Sequence, residues 1–419
     1  MPGLGYLNTP WPAEDGGPAR LQVPNGAAGL GLGPAERLQA RAVTRLMSTM
    51  TVLGAPGEVY LLTHSAIRAR LGLPTSCRVS LINPITLAPQ QKSPLLRGGP
   101  MWPGGMALHA NGDIYVVYGR WAHRLARDCS VKDALRLPLD LPYNGFVVLD
   151  NGLIVTKNIS DSHPARLSIL RPDPLVPACA DVECPEPSIA RLSAVGNRLY
   201  VVGVRSIFRF DWDEDAETLV RDASWRFDYA AGTAQTYGWD VVLGLGQAWF
   251  MDNGQHRYLT SMIGRGVSRT ANRLIRVSLQ DSSDAEAIDV CGMPGGTVTN
   301  PPLVDESRRI VVGYDSANRV VRAWSFDSDG AGLTGLWRKD GFGAASHMIC
   351  LPDSGEIITN DFGAGGEHVV VLDIETGAEK GRARIGGITQ GVVFPSPGWS
   401  RDVYFSAMSR FGRVVVGTG

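Results

Sequence analysis

The chain has 419 residues, of which 44% are hydrophobic, and it contains 50 glycines and 27 prolines. This apolar content suffices for a large core, and the turn-forming residues suit many short strands, so disorder of the whole chain is excluded. Its 40 basic and 41 acidic residues give a formal net charge of -1. Without a basic excess, nucleic-acid binding is not predicted, and without an apolar run of about eighteen residues neither is a membrane span.

The first 44 residues are assigned to an N-terminal extension. Its start lacks a basic region followed by an apolar stretch, so no secretory signal is predicted and the cytoplasm is the expected compartment. Residues 33–43 favour a short helix, because Pro34 stands near the start and no β-branched run precedes Val43. The run 20–23 is expected to supply a closing strand for the last sheet.

Eight hairpin patterns follow, each an apolar run, a turn and a second apolar run. The clearest spans residues 105–117, where two strand-like runs flank the turn Asn111-Gly112-Asp113. The eight patterns lie at residues 50–64, 106–117, 146–157, 189–203, 239–253, 300–315, 347–361 and 390–406.

The spacing of the hairpins predicts a β-propeller. Corresponding positions recur after about 40 to 46 residues, as from Met106 to Phe146, which is the length of a four-stranded blade. After most hairpins come two more strand-like runs, such as 369–373 and 381–385. We therefore expect an all-β fold with a single propeller over residues 45–419, of seven or eight blades with eight favoured, and a ring closed by an N-terminal strand.

Two short motifs resemble known propeller repeats. The run 371–377, Val-Leu-Asp-Ile-Glu-Thr-Gly, resembles the outer strand pair of YVTN-type (WD40/YVTN-like) and quinoprotein-like repeats. The turn 352–355, Pro-Asp-Ser-Gly, is similar to turns of NHL and gluconolactonase-type propellers. The resemblance covers about residues 45–419 and implies the fold without identifying one family.

Polar residues recur where the inner hairpins of a propeller begin and end, and these positions converge at one mouth of the central channel. Hairpin starts carry Asn144, Asp240, Asn300, His347 and Gln390, and hairpin ends carry Lys157, Asp252, Asp315, Asn360 and Asp361. Oxygen ligands of this kind suit Ca²⁺, Mg²⁺ or Mn²⁺, and a histidine among carboxylates also accepts Zn²⁺. The same residues could instead cap backbone groups and solvate the rim.

The resemblance to gluconolactonase-type enzymes implies a divalent metal held by Asn144, Asp240 and Asn300. Such a metal would polarise a carbonyl, with His347 or Asp361 as the catalytic base. The first hairpin reads Ser48-Thr49-Met50 where those enzymes carry a carboxylate ligand. The predicted substrate-binding residues are Lys157, Trp239, Asp252, Arg257, Asp315, Asn360 and Gln390.

No nucleotide cofactor is predicted, because Gly264-Arg265-Gly266 lacks the strand and helix context of a dinucleotide fingerprint. Among the six cysteines only Cys179 and Cys184 are close in sequence. That spacing permits a zinc half-site or a disulfide, but free thiols are expected in a reducing compartment.

Three functions fit this pattern. The favoured hypothesis is a metal-assisted hydrolase, lactonase- or esterase-like, acting on a small molecule at the channel mouth. The alternatives are a non-catalytic propeller that binds a ligand or a protein partner, and a quinoprotein-like oxidoreductase. A serine hydrolase is not indicated, because the sequence has no Gly-x-Ser-x-Gly elbow.

Overall fold

A computed structural model describes residues 3–26, 29–65, 68, 71–100, 104–233, 237–253, 269–328, 330–388, 390–391 and 394–418. Regular structure in these ranges consists mainly of strands, with short 3₁₀ turns at Glu14–Gly16 and Pro352–Ser354. The all-β class predicted from the sequence is confirmed. Among the described helical segments, none has the length and apolar character needed to cross a lipid bilayer.

The described strands form seven antiparallel sheets, each a meander in which strands pair largely in chain order. Sheet 1 begins with β1 (Glu36–Leu53), β2 (Val59–His64), β3 (Ser76–Ile82), β4 (Pro89–Lys92) and β5 (Leu96–Arg97). Sheet 2 contains β6 (Gly105–Leu108), β7 (Ile114–Tyr118), β8 (Trp121–Leu125) and β9 (Val131–Arg136). Sheet 3 contains β10 (Tyr143–Val148), β11 (Ile154–Asn158), β12 (Arg166–Arg171), β13 (Val176–Pro177) and β14 (Val182–Glu183).

Each of the next four sheets has four strands. Sheet 4 contains β15 (Ser193–Val195), β16 (Arg198–Val202), β17 (Ile207–Asp213) and β18 (Thr218–Phe227), and sheet 5 contains β19 (Val242–Gly244), β20 (Gln247–Met251), β21 (Arg273–Ser278) and β22 (Ala285–Asp289). Sheet 6 contains β23 (Leu303–Asp305), β24 (Ile310–Asp315), β25 (Val320–Ser325) and β26 (Thr334–Asp340), and sheet 7 contains β27 (Ile349–Leu351), β28 (Glu356–Gly363), β29 (Gly366–Asp373) and β30 (Glu379–Arg384). The chain then returns to sheet 1 with β31 (Ser396–Pro397), β32 (Asp402–Ser406) and β33 (Met408–Thr418).

The predicted hairpins correspond to the first two strands of each meander. In the clearest one, Met106 faces Val116 across β6 and β7, and Gly112 takes a φ of 88° in the turn, a conformation that favours glycine. The first seven hairpins are confirmed as paired strands. In the eighth, Val392 and Val393 lie outside the described residues, and the strand that pairs with β32 is β31.

The first strands of the sheets lie at the centre of the molecule. Neighbouring first strands contact each other, as β1 does with β6, and β6 with β10. Between sheets the core consists of buried apolar side chains, and one cluster joins Trp249 of sheet 5 to Trp324 of sheet 6 and Met348 next to sheet 7. Packing of this kind joins neighbouring sheets to one another.

Strand β1 has two halves with different partners. Residues from Glu36 to Thr44 pair with β33 over a register that runs from Thr418 to Arg410, whereas Ser48 to Leu53 pair with β2. The helix predicted over residues 33–43 is therefore wrong, because a distant strand supplies backbone partners that local sequence does not reveal. The expected boundary between residues 44 and 45 falls inside this strand.

Residues 3–26, which we call the axial segment, run across the centre of the sheets without forming a strand of their own. The closing strand expected at residues 20–23 is wrong, since these residues hydrogen-bond to inner strands instead of extending a sheet. The segment contacts the first strand, or the residue next to it, in all seven described sheets. Its bonds are Leu53 N to Trp11 O, Leu108 N to Pro12 O, Val148 N to Tyr6 Oη, Ala194 N to Pro18 O, Leu243 N to Ala19 O, Gln22 Nε2 to Pro302 O, and Cys350 N to Gln22 O.

Candidate functional site

The axial segment brings two acidic residues and an arginine into the centre of the molecule. Arg20 donates to Asp15 Oδ2 at 2.9 Å and to Glu14 Oε2 at 3.1 Å. All three side chains are buried, with at most 5% of each exposed. Charges removed from water in this way must be compensated by one another, so the segment is fixed electrostatically as well as by its backbone.

The sheets contribute His347, Arg191 and Asp240 to the same cluster. His347 Nδ1 lies 2.7 Å from Asp15 Oδ1, and the imidazole stacks on Phe394 with ring centroids 3.9 Å apart. Arg191 lies 3.3 Å from Glu14 and 3.3 Å from Asp240. We call Glu14, Asp15, Arg20, Arg191, Asp240 and His347 the axial ion cluster.

Burial shifts the titration of this cluster. It raises the pKa of Glu14 to about 7, despite the opposing effect of Arg20 and Arg191. It also opposes ionisation of Asp15, but His347 and Arg20 outweigh it, so the pKa of Asp15 is lowered. Burial lowers the pKa of His347 although Asp15 acts in the opposite direction. The three carboxyl groups of the cluster, on Glu14, Asp15 and Asp240, lie against the guanidinium groups of Arg20 and Arg191 and the imidazole of His347.

Lys157 is buried close to this cluster. Its ammonium group donates to the Ser188 carbonyl at 3.2 Å, and burial lowers its pKa to about 7. Asp240 acts on this lysine electrostatically, while its own Oδ1 accepts the backbone N–H of Arg191 at 2.6 Å. Three of the predicted site residues, His347, Asp240 and Lys157, are thus brought together at the centre.

The two predicted amide ligands link neighbouring sheets. Asn144 Nδ2 donates to the Ile189 carbonyl at 2.6 Å, and Asn300 Nδ2 donates to the Ala345 carbonyl. Each bond reaches from the start of one first strand to the residues that precede the next. These residues therefore act as latches between sheets.

Three predicted substrate-binding residues hold the loops that lead into the sheets. Asp252 accepts the backbone N–H and side chain of Arg273, each at 2.8 Å, and burial raises its pKa to about 6 despite that arginine. Asp315 accepts Thr297 N at 3.1 Å, and Asn360 accepts Ala345 N at 2.8 Å. The capping interpretation left open by the sequence agrees with these contacts.

The remaining predicted residues do not join the axial ion cluster. Asp361 accepts Gly343 N at 2.8 Å and lies 3.3 Å from Arg382, and Gln390 donates to the Gly343 carbonyl at 2.9 Å. Trp239 is buried in a small apolar cluster with Ile159 and Ile189. Arg257 lies outside the described residues.

The predicted donor set does not fit a divalent metal. Asn144 and Asn300 use their amide groups between sheets, and Asp240 is paired with Arg191. Across the described ranges, no group of three or more His, Cys, Asp or Glu side chains is arranged to hold a metal ion. The six cysteines, Cys179 and Cys184 among them, are free thiols.

A cavity of about 380 Å³ lies beside the axial segment, on the side where the hairpin turns gather. Its wall includes Asp15, Asp150, Val195 and Glu306. Asp150 Oδ1 accepts the Leu4 N–H at 2.9 Å and Glu306 Oε1 accepts the Leu245 N–H at 2.8 Å, so backbone groups rather than cations meet these two carboxylates in the described structure. The volume lies within the range of small-molecule sites.

Sequence reasoning missed Glu14, Asp15, Arg20 and Arg191. The run Pro12-Ala13-Glu14-Asp15-Gly16-Gly17 is typical of a solvent-exposed turn. Its burial depends on partners far away in the chain, such as Arg191, which pairs with Glu14. Arg20 likewise contacts the carbonyl of Leu192, 172 positions away. Arg191 lies inside the fourth hairpin pattern, where its charge among apolar residues was the available signal.

Known structures with the same architecture are β-propellers. The quinohemoprotein alcohol dehydrogenase from Comamonas testosteroni aligns with a TM-score of 0.64 and 10% identity, over 96% of this chain and 80% of that chain. The Dos1 propeller aligns with a TM-score of 0.58 and 8% identity, over 91% and 95%, and apo AztD from Citrobacter koseri with 0.50 and 12%, over 91% and 98%.

These similarities show the fold, a β-propeller, as the sequence predicted. No protein-family model matches the sequence. A search of curated proteins likewise finds no match.

Proposed function

We propose that this propeller is a non-catalytic binding protein whose ligand is a small molecule carrying an amino group. The observation that carries the proposal is the cavity beside the axial segment, with Asp150 and Glu306 in its wall. A cationic group would compensate both carboxylates. The metal-assisted hydrolase favoured from the sequence receives less support, because the axial segment fills the centre and the predicted metal ligands are engaged in other bonds.

The test is a calorimetric titration with a panel of primary amines and with carboxylates of matched size. At least one amine should bind, and Val195→Trp, which fills the cavity from its wall, should weaken that binding about tenfold or more. Val131→Trp, on the outer strand β9, is the matched control and should bind as the wild type does. Failure of every amine to bind, or equal affinity in the Val195→Trp variant, would contradict the proposal.

A second candidate, a hydrolase centred on His347, is favoured by one observation. The Nδ1 atom of His347 is oriented by Asp15, while Nε2 has no hydrogen-bond partner among the described residues. A neutral imidazole held in this way can act as a general base. In this candidate Lys157, close to the axial ion cluster, keeps the substrate-binding role predicted from the sequence. Trp239, Asp361 and Gln390 do not join that cluster, and Arg257 lies outside the described residues.

Elemental analysis and a screen of lactones and esters separate the two candidates. The binding proposal predicts no stoichiometric divalent metal and no turnover, before or after chelation. Turnover lost in His347→Gln, with unchanged folding, would establish the hydrolase. Metal present in the wild type and lost in Asp240→Ala would restore the metal-assisted form that the sequence favoured.

We also propose that the sheets form eight blades. Sheet 1 has eight strands, in which β31, β32 and β33 lead in order to the first half of β1, and β2–β5 continue from its second half. It divides naturally into a first and a last blade that share β1. Residues 36–44 would then be the N-terminal strand that closes the ring and protects both sheet edges.

A further inference from the structure

A second concave surface lies at the outer side of the molecule, between the end of sheet 7 and the β33 arm of sheet 1. Its volume is about 750 Å³. Its polar side chains are Thr44 of β1, Arg384 of β30, and Ser409 and Arg410 of β33. We call this surface the interblade groove; it shares no lining residue with the cavity beside the axial segment.

The groove carries uncompensated positive charge. Arg384 donates to the Gly365 carbonyl at 2.7 Å, and Arg410 makes long contacts of 3.4 Å with the Ile385 carbonyl and the Thr44 hydroxyl. Within the described residues, neither guanidinium is in an ion pair, although their neighbours Arg382 and Arg413 each meet a carboxylate at 2.6 Å. Two guanidinium groups that meet no carboxylate among the described residues favour an anion in this concave surface.

The other polar groups of the groove can also donate to an anion. The Ser409 hydroxyl makes only long contacts, with the Ala407 carbonyl at 3.5 Å and the Ile388 N–H at 3.4 Å, so it is free to reorient. In the adjoining loop Gly386 and Gly387 take φ angles of 75° and 134°, a conformation that favours glycine, and the Gly386 N–H donates to the Glu367 carbonyl at 3.0 Å. Among the described residues that line the groove there is no carboxylate.

One wall of the groove is apolar. Ile388 is 85% exposed, and the methyl groups of Ala40 and Ala42 face the same space. A large aliphatic side chain left in water beside two arginines is suited to a ligand with an apolar portion next to its charge. We propose that the interblade groove binds an organic anion, with its phosphate, sulfate or carboxylate group on Arg384 and Arg410 and its apolar portion on Ile388.

Hexyl phosphate is a suitable probe, with hexanol and inorganic phosphate as its two halves. Calorimetry should show hexyl phosphate binding more tightly than either half. Arg384→Gln and Arg410→Gln should each weaken it about tenfold, the effect of one charge-assisted hydrogen bond. Ile388→Ser should bring its affinity close to that of inorganic phosphate.

Arg136→Gln is the matched control, because Arg136 is an exposed arginine at the end of β9 and away from the groove. It should bind hexyl phosphate as the wild type does. Arg384, Ile388 and Arg136 are exposed and Arg410 is half-buried, so all variants should keep a melting temperature close to that of the wild type. Absence of binding to the wild type, or equal affinities in the wild type and both arginine variants, would overturn the proposal without touching the axial cavity.

Discussion

Asp15 and His347 are 332 positions apart in the chain, yet Asp15 Oδ1 and His347 Nδ1 are 2.7 Å apart in the buried centre. This contact joins the axial segment to the residue that precedes β27. Arg20 holds the same aspartate from the other side, at 2.9 Å. Asp15 is therefore one of the residues through which the axial segment and the sheets stabilise each other.

Replacing Asp15 with Asn should destabilise the protein by about 3–5 kcal/mol, since Arg20 would remain buried without one of its two carboxylates. The measurement is the free energy of unfolding in denaturant. Asp353→Asn, an exposed aspartate in the turn after β27, is the control and should change stability by less than about 0.5 kcal/mol. Equal stabilities of the two variants would contradict the assigned role of Asp15.

Lys157 should make stability depend on pH in a defined direction. Its pKa is about 7 in the folded protein against an ordinary 10.5, so the unfolded chain binds the additional proton between these values. The free energy of unfolding should therefore rise as pH increases from about 7 to 10.5, and this gain should be lost again as pH falls to 7. The full difference is on the order of 5 kcal/mol.

Lys157→Met isolates this effect. Its stability relative to the wild type should be greatest at and below pH 7 and should shrink as pH rises towards 10. Lys92→Met, on the exposed part of β4, should show a difference that does not change over this range. If the difference in stability between Lys157→Met and the wild type were also independent of pH, burial would not lower the pKa of Lys157, and this prediction would be wrong.

The inter-sheet latches should contribute measurably to stability. Asn144→Ala removes the side-chain donor to the buried Ile189 carbonyl, and Asn300→Ala leaves the buried Ala345 carbonyl with the Thr299 hydroxyl at 3.2 Å. Asn144→Ala should reduce the free energy of unfolding by about 1–3 kcal/mol, and Asn300→Ala by about 1 kcal/mol. The two sites share no contact, and their effects should add. Gln91→Ala, in the exposed strand β4, is the control; a similar small effect for all three variants would count against the latches.

A disulfide can test the closing strand. Ala40 faces Val414 across β1 and β33, so Ala40→Cys combined with Val414→Cys should oxidise within one chain. The crosslink should raise stability by about 2–4 kcal/mol and lose that gain on reduction, while the single variants should not respond to reductant. Failure to form an intramolecular disulfide would contradict this pairing.

The sequence predicted what local patterns encode. The hairpin around Gly112 and the repeat from Met106 to Phe146 follow from strand alternation and turn chemistry, and both are found. The strand from Glu36 was predicted as helix because its partner, β33, lies at the other end of the chain. Local propensity is a weak guide where a distant strand completes the backbone hydrogen bonds.

The candidate site was predicted less completely. His347, Asp240 and Lys157 were recognised as polar residues at strand ends and do lie together. Their partners Glu14 and Asp15 were not recognised, because a Gly-rich acidic run resembles a surface turn until the whole propeller buries it. A metal was inferred from residue type alone, whereas the hydrogen bonds of Asn144 and Asn300 could be seen only in three dimensions.

The most direct test of this account is amide hydrogen exchange over residues 3–26. The N–H groups of Leu108 and Cys350 donate hydrogen bonds to carbonyl groups of the axial segment. If this segment is an integral part of the centre, its peptides should exchange as slowly as peptides that contain Leu108 or Cys350. Exchange as fast as that of the exposed turn around Glu214 would contradict the account. Such fast exchange would mean that solvent reaches the axial ion cluster and that the centre of the propeller is accessible to a substrate.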